Sequence, residues 1–226
     1  GIIIVYYFIA TLLPIDKLIG KLYPLFGAAL IFMAAGLLCV ILFGEYEVPE
    51  MVTFHNFQLA PDSLPVVPTL FITIACGAIS GFHATQSPLM ARCVNNEREC
   101  RTVFYGAMIA ESIIALIWAA IAMAFFGGAD GLSHTMAEHG NDAAWAVNTI
   151  SRSTLGIIGG ILAVLGVVAA PITSGDTAFR SARLIIADIF HIDQRSKLRR
   201  LLIALPLFAV GLVITFIDFG VVWRYL

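Results

Sequence analysis

Six apolar stretches, separated by five polar segments whose charge alternates in sign, leave this chain few folds to adopt. They lie at about 1–13, 24–43, 65–86, 103–126, 154–173 and 200–218. All but the first approach or exceed the roughly 20 residues that carry a helix across a hydrocarbon layer ~30 Å thick. Between them come a basic turn (Asp16, Lys17, Lys21), an acidic loop (Glu45, Glu47, Glu50, Asp62), a basic loop (Arg92, Arg98, Arg101), a mostly acidic loop (Asp130, Glu138, Asp142, with Arg152) and a basic stretch from Arg180 to Arg200. Of the 13 Lys and Arg residues, 11 fall in alternate segments, which leaves Arg152 and Arg224 on the other side. An excess of Lys and Arg marks the cytoplasmic face. The segments at about 14–23, 87–102 and 174–199 are therefore expected in the cytoplasm, and six crossings agree on one orientation.

Composition points the same way, with 60% apolar residues, 12% charged residues and a mean hydropathy of +0.93 that belongs to an integral membrane protein. Outer-membrane barrels would show alternating segments of about ten residues, and the sequence has none. The expected fold class is all-α, a polytopic transmembrane helix bundle with broken helices, forming one membrane domain over 1–226 in the cell inner membrane. The net charge of −2 averages a basic face against an acidic one, so it implies no nucleic-acid partner; the expected surroundings are the lipid bilayer. The opening "GIIIVYYFIATLLP" has no initiator methionine, charged leader or cleavage site. It reads as a spanning helix whose upstream half is missing, and hence as part of a longer protein.

The third stretch changes character at "ACGAISGFHATQSPLMARC", residues 75–93. Glycine in a helix costs about 1 kcal/mol relative to alanine, and Pro88 lacks an amide hydrogen and disfavours helix before it. Ser87 and Pro88 also read as the cap and first residue of a new short helix running toward Arg92. With His83 nine residues before Arg92, a rise of 1.5 Å per residue puts His83 about 13 Å from the cytoplasmic charges, near the bilayer centre. Irregular backbone at that depth must be buried in protein or line a wet cavity, which is the device of broken-helix carriers. The alternative is a glycine-rich helix packed closely on a neighbour, with His83 merely hydrogen-bonded.

A second interruption is expected in the fifth stretch, where "APITSGDTAFRSARL" brings in Pro171, Thr173, Ser174, Gly175, Asp176 and Thr177. Both interruptions run from outside to inside, so they are parallel rather than inverted copies. Asp176 also suits an ion pair with Arg180, four residues on and on the same helix face. Glu111 stands ten residues beyond Arg101, about 15 Å into the membrane. A lone carboxyl at that depth is paired or protonated, and one that can be either is a candidate to carry a proton; a hydrogen bond to a neighbouring helix is the competing role. His134 and His139, with Glu138 between them, are expected to be solvated surface rather than a metal site. Cys39, Cys76, Cys93 and Cys100 form no recognisable disulfide or metal spacing. No G-x-S-x-G or phosphate-loop pattern supports catalysis or direct use of ATP, so neither a catalytic site nor a cofactor is expected.

The segments "YYFIATLLPIDKLIGKLYPLFG", "ACGAISGFHATQSPLMARC" and "APITSGDTAFRSARLI" resemble the carbon starvation protein A (CstA) family, and the likeness covers essentially the whole chain. Members of that family are longer, so the chain resembles an internal portion. The resemblance implies an inner-membrane secondary transporter for peptides or pyruvate, coupled to protons, with an architecture similar to amino acid and cation symporters. On the residues themselves, a cavity where 77–88 and 171–177 meet would bind substrate through Ser80, His83, Thr85, Gln86, Ser87, Thr173 and Ser174, and His83, Glu111 or Asp176 would carry the coupling proton. A membrane sensor or structural partner without transport activity is the alternative reading.

Overall fold

The computed structural model describes residues 16–44, 46–50, 66–78, 83, 87, 88 and 90–217, and among these every regular element is helical. In chain order they are α1 (Asp16–Phe43), α2 (Val66–Ala78), α3 (Glu97–Phe125), α4 (Ala129–Glu138), α5 (Ala143–Ile189) and α6 (Lys197–Ile214). The chain divides into two units: Pro24–Gly81 with Met90–Ala170, and Gly1–Tyr23 with Phe82–Leu89 and Pro171–Leu226.

In the first unit, apolar residues three and four apart put one face of each helix into a shared core. Met33, Ala34 and Leu37 of α1, Ile117 and Ile121 of α3, and Ile150 and Ala163 of α5 are buried together. Glycines set how closely α1 and α5 approach. A Cβ on Gly36 would stand 3.1 Å from Leu155 Cδ2, and one on Gly166 would stand 2.8 Å from Leu30 Cδ2. Lipid tails are as apolar as leucine, so helices in a membrane associate through this kind of close fit.

The opposite faces of α1 and α3 stay bare. The stretch Pro24–Phe43 has a mean hydropathy of 2.7 with 22% buried, and α3 has 2.1 with 17% buried. Core helices of water-soluble domains are mostly covered, whereas Phe32, Leu42, Phe43 and Leu116 project outward here. Both helices are long and apolar enough to cross a membrane. The first coincides with the expected crossing at 24–43, and the second contains almost all of the one expected at 103–126.

The end of α1, the end of α3 and the start of α5 share an aromatic cluster. Tyr46 lies tilted 5.9 Å from Phe125, Phe126 meets Phe125 edge-on at 4.9 Å, and Phe126 lies 6.2 Å from Trp145. Such belts form where helices leave the hydrocarbon. α3 stops there because Gly127 and Gly128 take φ of +76° and +110° and the Gly128 amide donates to the Met123 carbonyl at 2.7 Å, a left-handed cap that glycine adopts readily.

The acidic segment beyond α3 was expected to be a loop, yet it contains α4. Hydropathy detects crossings and is blind to a short polar helix. His139 ends α4: its ring stacks on Trp145 at 3.6 Å and its Nδ1 lies 3.0 Å from the Thr135 carbonyl. Asp142 starts α5, its Oδ1 accepting the amides of Ala144 and Trp145 at 2.9 and 3.2 Å. Asp142→Ala is expected to destabilise this corner by about 1 kcal/mol, read as a lower unfolding midpoint in detergent that Asp142→Ser restores.

α5 corrects the expected second interruption. The helix runs through 171–177, and its one departure among the residues given is Gly156, with φ 65° and ψ −149°. A proline inside a helix forfeits one hydrogen bond and need not end it when the rest of the ladder holds, whereas a positive φ is open to glycine. The helix also continues to Ile189, so the expected loop at 174–199 shrinks to the turn between α5 and α6. There the Ile192 amide donates to the Ala187 carbonyl at 2.8 Å. The other expected basic loops are likewise partly helical: α1 begins at Asp16, and α3 begins at Glu97 after Asn96 accepts the Arg98 amide at 3.1 Å. The second unit packs the late part of α5 on α6 through Phe179 against Phe208, at 4.9 Å and 62°. Gly211 makes room, since a Cβ on it would lie 3.0 Å from Phe179 Cζ.

Candidate functional site

Among the described residues, His83 and Ser87 fall in the same unit as Thr173 and Ser174, because Phe82–Leu89 groups with Pro171–Leu226. His83 is helical and half-buried, and it has an interaction partner. Ser87 is helical and half-buried, with exposed Pro88 after it, and Met90 and Ala91 are helical before the turn at Arg92 and Cys93. The start of the expected short helix lies outside the described residues, and Ser87 is itself helical rather than the residue before the helix. Ser80, Thr85 and Gln86 lie outside the described residues, as does most of the expected interruption at 77–88.

Thr173, Ser174 and Asp176 lie within α5, so they are presented by continuous helix rather than by unwound backbone. Ser174 is exposed, and its carbonyl accepts the Thr177 hydroxyl at 2.9 Å. Arg180 and Arg183 follow one and two turns on, both half-buried and both engaged in interactions; the Asp176 side chain, and with it the expected pairing to Arg180, lies outside what is described. Hydroxyl and guanidinium groups along this segment are hydrogen-bonding chemistry suited to a small polar molecule.

Glu111 belongs to the other unit. It is the sole charged residue between Thr102 and Phe125. Its side chain is exposed on α3 and has no hydrogen-bond or ion-pair partner among the described residues. The neighbouring Ser112 is satisfied by its own helix, donating to the Met108 carbonyl at 2.8 Å. One turn earlier, Arg101–Gly106 widens into a π-helical segment, a feature that often accompanies functional sites and leaves no hydropathy signal. Among the described residues no group of three or more His, Cys, Asp or Glu comes together to hold a metal ion.

A family model described as carbon starvation protein CstA matches residues 1–225. The chain belongs to the CstA family. Among relatives, an uncharacterized membrane protein of Haemophilus influenzae is 47% identical over 143 residues, which is 56% of this chain and 38% of that protein. The pyruvate/proton symporter BtsT of Escherichia coli is 35% identical over 115 residues, 50% of this chain and 16% of the symporter. The peptide transporter CstA of Helicobacter pylori is 34% identical over 115 residues, 50% of this chain and 17% of the transporter. The matched region therefore spans well under two thirds of each of these relatives. No solved structure matches the chain. Members of the CstA family are named as transporters rather than as enzymes.

Proposed function

We propose that this chain forms part of a multi-pass inner-membrane carrier that takes up pyruvate or short peptides together with a proton when carbon is scarce. The observation that carries the reading is membership of the CstA family over residues 1–225, together with relatives named as a pyruvate/proton symporter and as peptide transporters. Two helices of membrane-crossing length with largely bare apolar faces support it.

In this reading the helices form a polytopic bundle. His83 and Ser87, with Thr173 and Ser174 on α5, contact the substrate, and Ser80, Thr85 and Gln86 extend that surface. Hydroxyls and an imidazole suit a carboxylate, which pyruvate and a peptide C-terminus both offer. Glu111 is the leading carrier of the coupling proton because a carboxyl alone on an apolar span is stable there only when protonated or paired. His83 and Asp176 are further candidates.

The test is uptake by proteoliposomes holding the intact protein, with pyruvate and short peptides offered in turn under an imposed proton gradient. Saturable uptake that rises with the gradient is expected. Uptake of both compounds no faster than in protein-free vesicles would remove the reading.

A further inference from the structure

His139, which the transport reading leaves without a role, closes the corner between α4 and α5 on a tryptophan. Its ring lies 3.6 Å from that of Trp145 at an interplanar angle of 14°, and Phe126 lies 6.2 Å from the same indole at 23°. Gly140 and Asn141, with φ of +64° and +58°, turn the chain back between the two rings, and glycine and asparagine are the residues that visit that region most readily. Trp145 is half-buried and His139 is exposed, so water reaches the imidazole.

Nδ1 of His139 lies 3.0 Å from the Thr135 carbonyl. A carbonyl oxygen only accepts, so Nδ1 carries the hydrogen and Nε2 is left to take up a proton. Charging the ring strengthens every contact it makes. The bond to Thr135 becomes charge-assisted, the indole face attracts a cation, and the carbonyl end of α4 favours positive charge. The charged neighbours act in the same direction: Glu138 precedes His139, and Asp142 follows it with Oδ1 on the Ala144 and Trp145 amides. Phe126 from the end of α3 and Trp145 from the start of α5 carry no charge, and neither does α5 before Arg152. Tyr46, at the end of α1, reaches the cluster through Phe125. His134 and Asp130 stand on other faces of α4, about 140° and 180° around it. His139 makes no ion pair among the described residues.

We infer that this corner is a pH-dependent latch, in which proton uptake on Nε2 of His139 tightens the hold of α4 on the first turn of α5. Histidine gains and loses its charge between about pH 5 and 8, and carboxyl groups ordinarily titrate below that range. The latch is therefore tight at the acid end of the range and slackens toward the alkaline end. It rests on the geometry of the corner alone. Under the transport reading, with the Arg-rich segments in the cytoplasm, it responds to the pH of the opposite side, from which the coupled proton would enter.

Hydrogen–deuterium exchange of the intact protein in detergent, followed by mass spectrometry, reads the latch from the amides of His139, Gly140 and Asn141, which donate to the Thr135, Ala137 and Met136 carbonyls of α4. After correction for the intrinsic exchange rate, their protection is expected to be about two- to fivefold greater at about pH 5 than at about pH 8, the ratio an exposed cation–π contact gives. His139→Gln, which can still donate to Thr135 but carries no charge, is expected to make protection equal at the two pH values. His134→Gln is expected to leave the ratio unchanged, and Trp145→Phe, with a weaker ring face, to keep part of it. Equal protection at the two pH values in the unaltered protein would overturn the inference, as would greater protection at the alkaline one or a ratio that survives His139→Gln. Exchange in the buried segment Met33–Leu37 of the same samples shows whether each variant is folded. With neither substrate nor gradient present, a failed latch leaves the carrier reading standing, and a failed carrier leaves the latch.

Discussion

Glu111→Gln is expected to leave substrate exchange intact while ending accumulation against a gradient. A difference of one pH unit across the membrane is worth about 1.4 kcal/mol per proton, enough for about tenfold accumulation of a substrate that enters with one proton. Glutamine keeps the size and hydrogen-bonding capacity of the side chain and removes its proton exchange. The inside-to-outside ratio should therefore fall from about tenfold to about one, while counterflow of labelled against unlabelled substrate continues. The reason to single out Glu111 is physical: it is exposed on α3, unpartnered among the described residues, and surrounded in sequence by apolar residues from Met108 to Phe125 with Ser112 as the other polar group. A variant that still accumulates substrate tenfold would take Glu111 out of the coupling step.

Gly166→Leu is expected to separate α1 from α5. The first added carbon would already lie 2.8 Å from Leu30 Cδ2 and 3.4 Å from Met33 Cε, and the three further carbons need space that those side chains occupy. Overpacking of this kind costs about 1–3 kcal/mol, at the seam where Met33, Leu37, Ile150 and Ala163 are buried together. The unfolding midpoint in detergent should fall clearly, and adding Leu30→Ala should recover much of the loss, because the two positions compete for one volume and their effects are coupled. An unchanged midpoint for Gly166→Leu alone would mean that α1 and α5 do not meet at this glycine.

How much of this was legible in the sequence depended on which physical signal each feature leaves. The long apolar helices at Pro24–Phe43 and Glu97–Phe125 were legible because long uninterrupted apolar runs leave a plain hydropathy signal. The α4 helix was not, since "ADGLSHTMAE" is short and polar and its ends are made by His139 and Asp142, whose capping roles depend on contacts with Thr135, Trp145 and Ala144. The break in α5 was expected at Pro171 and lies at Gly156. Proline draws the eye because it lacks an amide hydrogen, yet one missing hydrogen bond does not end a long helix, and glycine's access to positive φ is silent until a structure uses it. The helix past residue 173 was missed for a related reason: Arg180 and Arg183 end an apolar run without ending the hydrogen-bond ladder, which continues to Ile189.

The candidate site was legible as residue types more than as architecture. His83 and Ser87 belong to the same unit as Thr173, Ser174 and Asp176, a grouping that links sequence positions some ninety residues apart. The expected unwinding at 171–177 is replaced by regular helix, which moves the source of polar contacts there from freed backbone to side chains. Arg152, assigned in the sequence to the acidic side as an exception, lies over the bare backbone of Gly160.

The central claim is that the intact protein moves its substrate together with protons, and substrate-evoked proton entry tests it most directly. Proteoliposomes carrying the protein and an internal pH-sensitive dye would be given pyruvate or a short peptide from outside, without any imposed gradient. Prompt internal acidification is expected that saturates with substrate concentration, is absent from protein-free vesicles, and is lost in Glu111→Gln. Substrate entry with no change in internal pH would contradict proton coupling, and no entry of either compound would contradict the carrier itself.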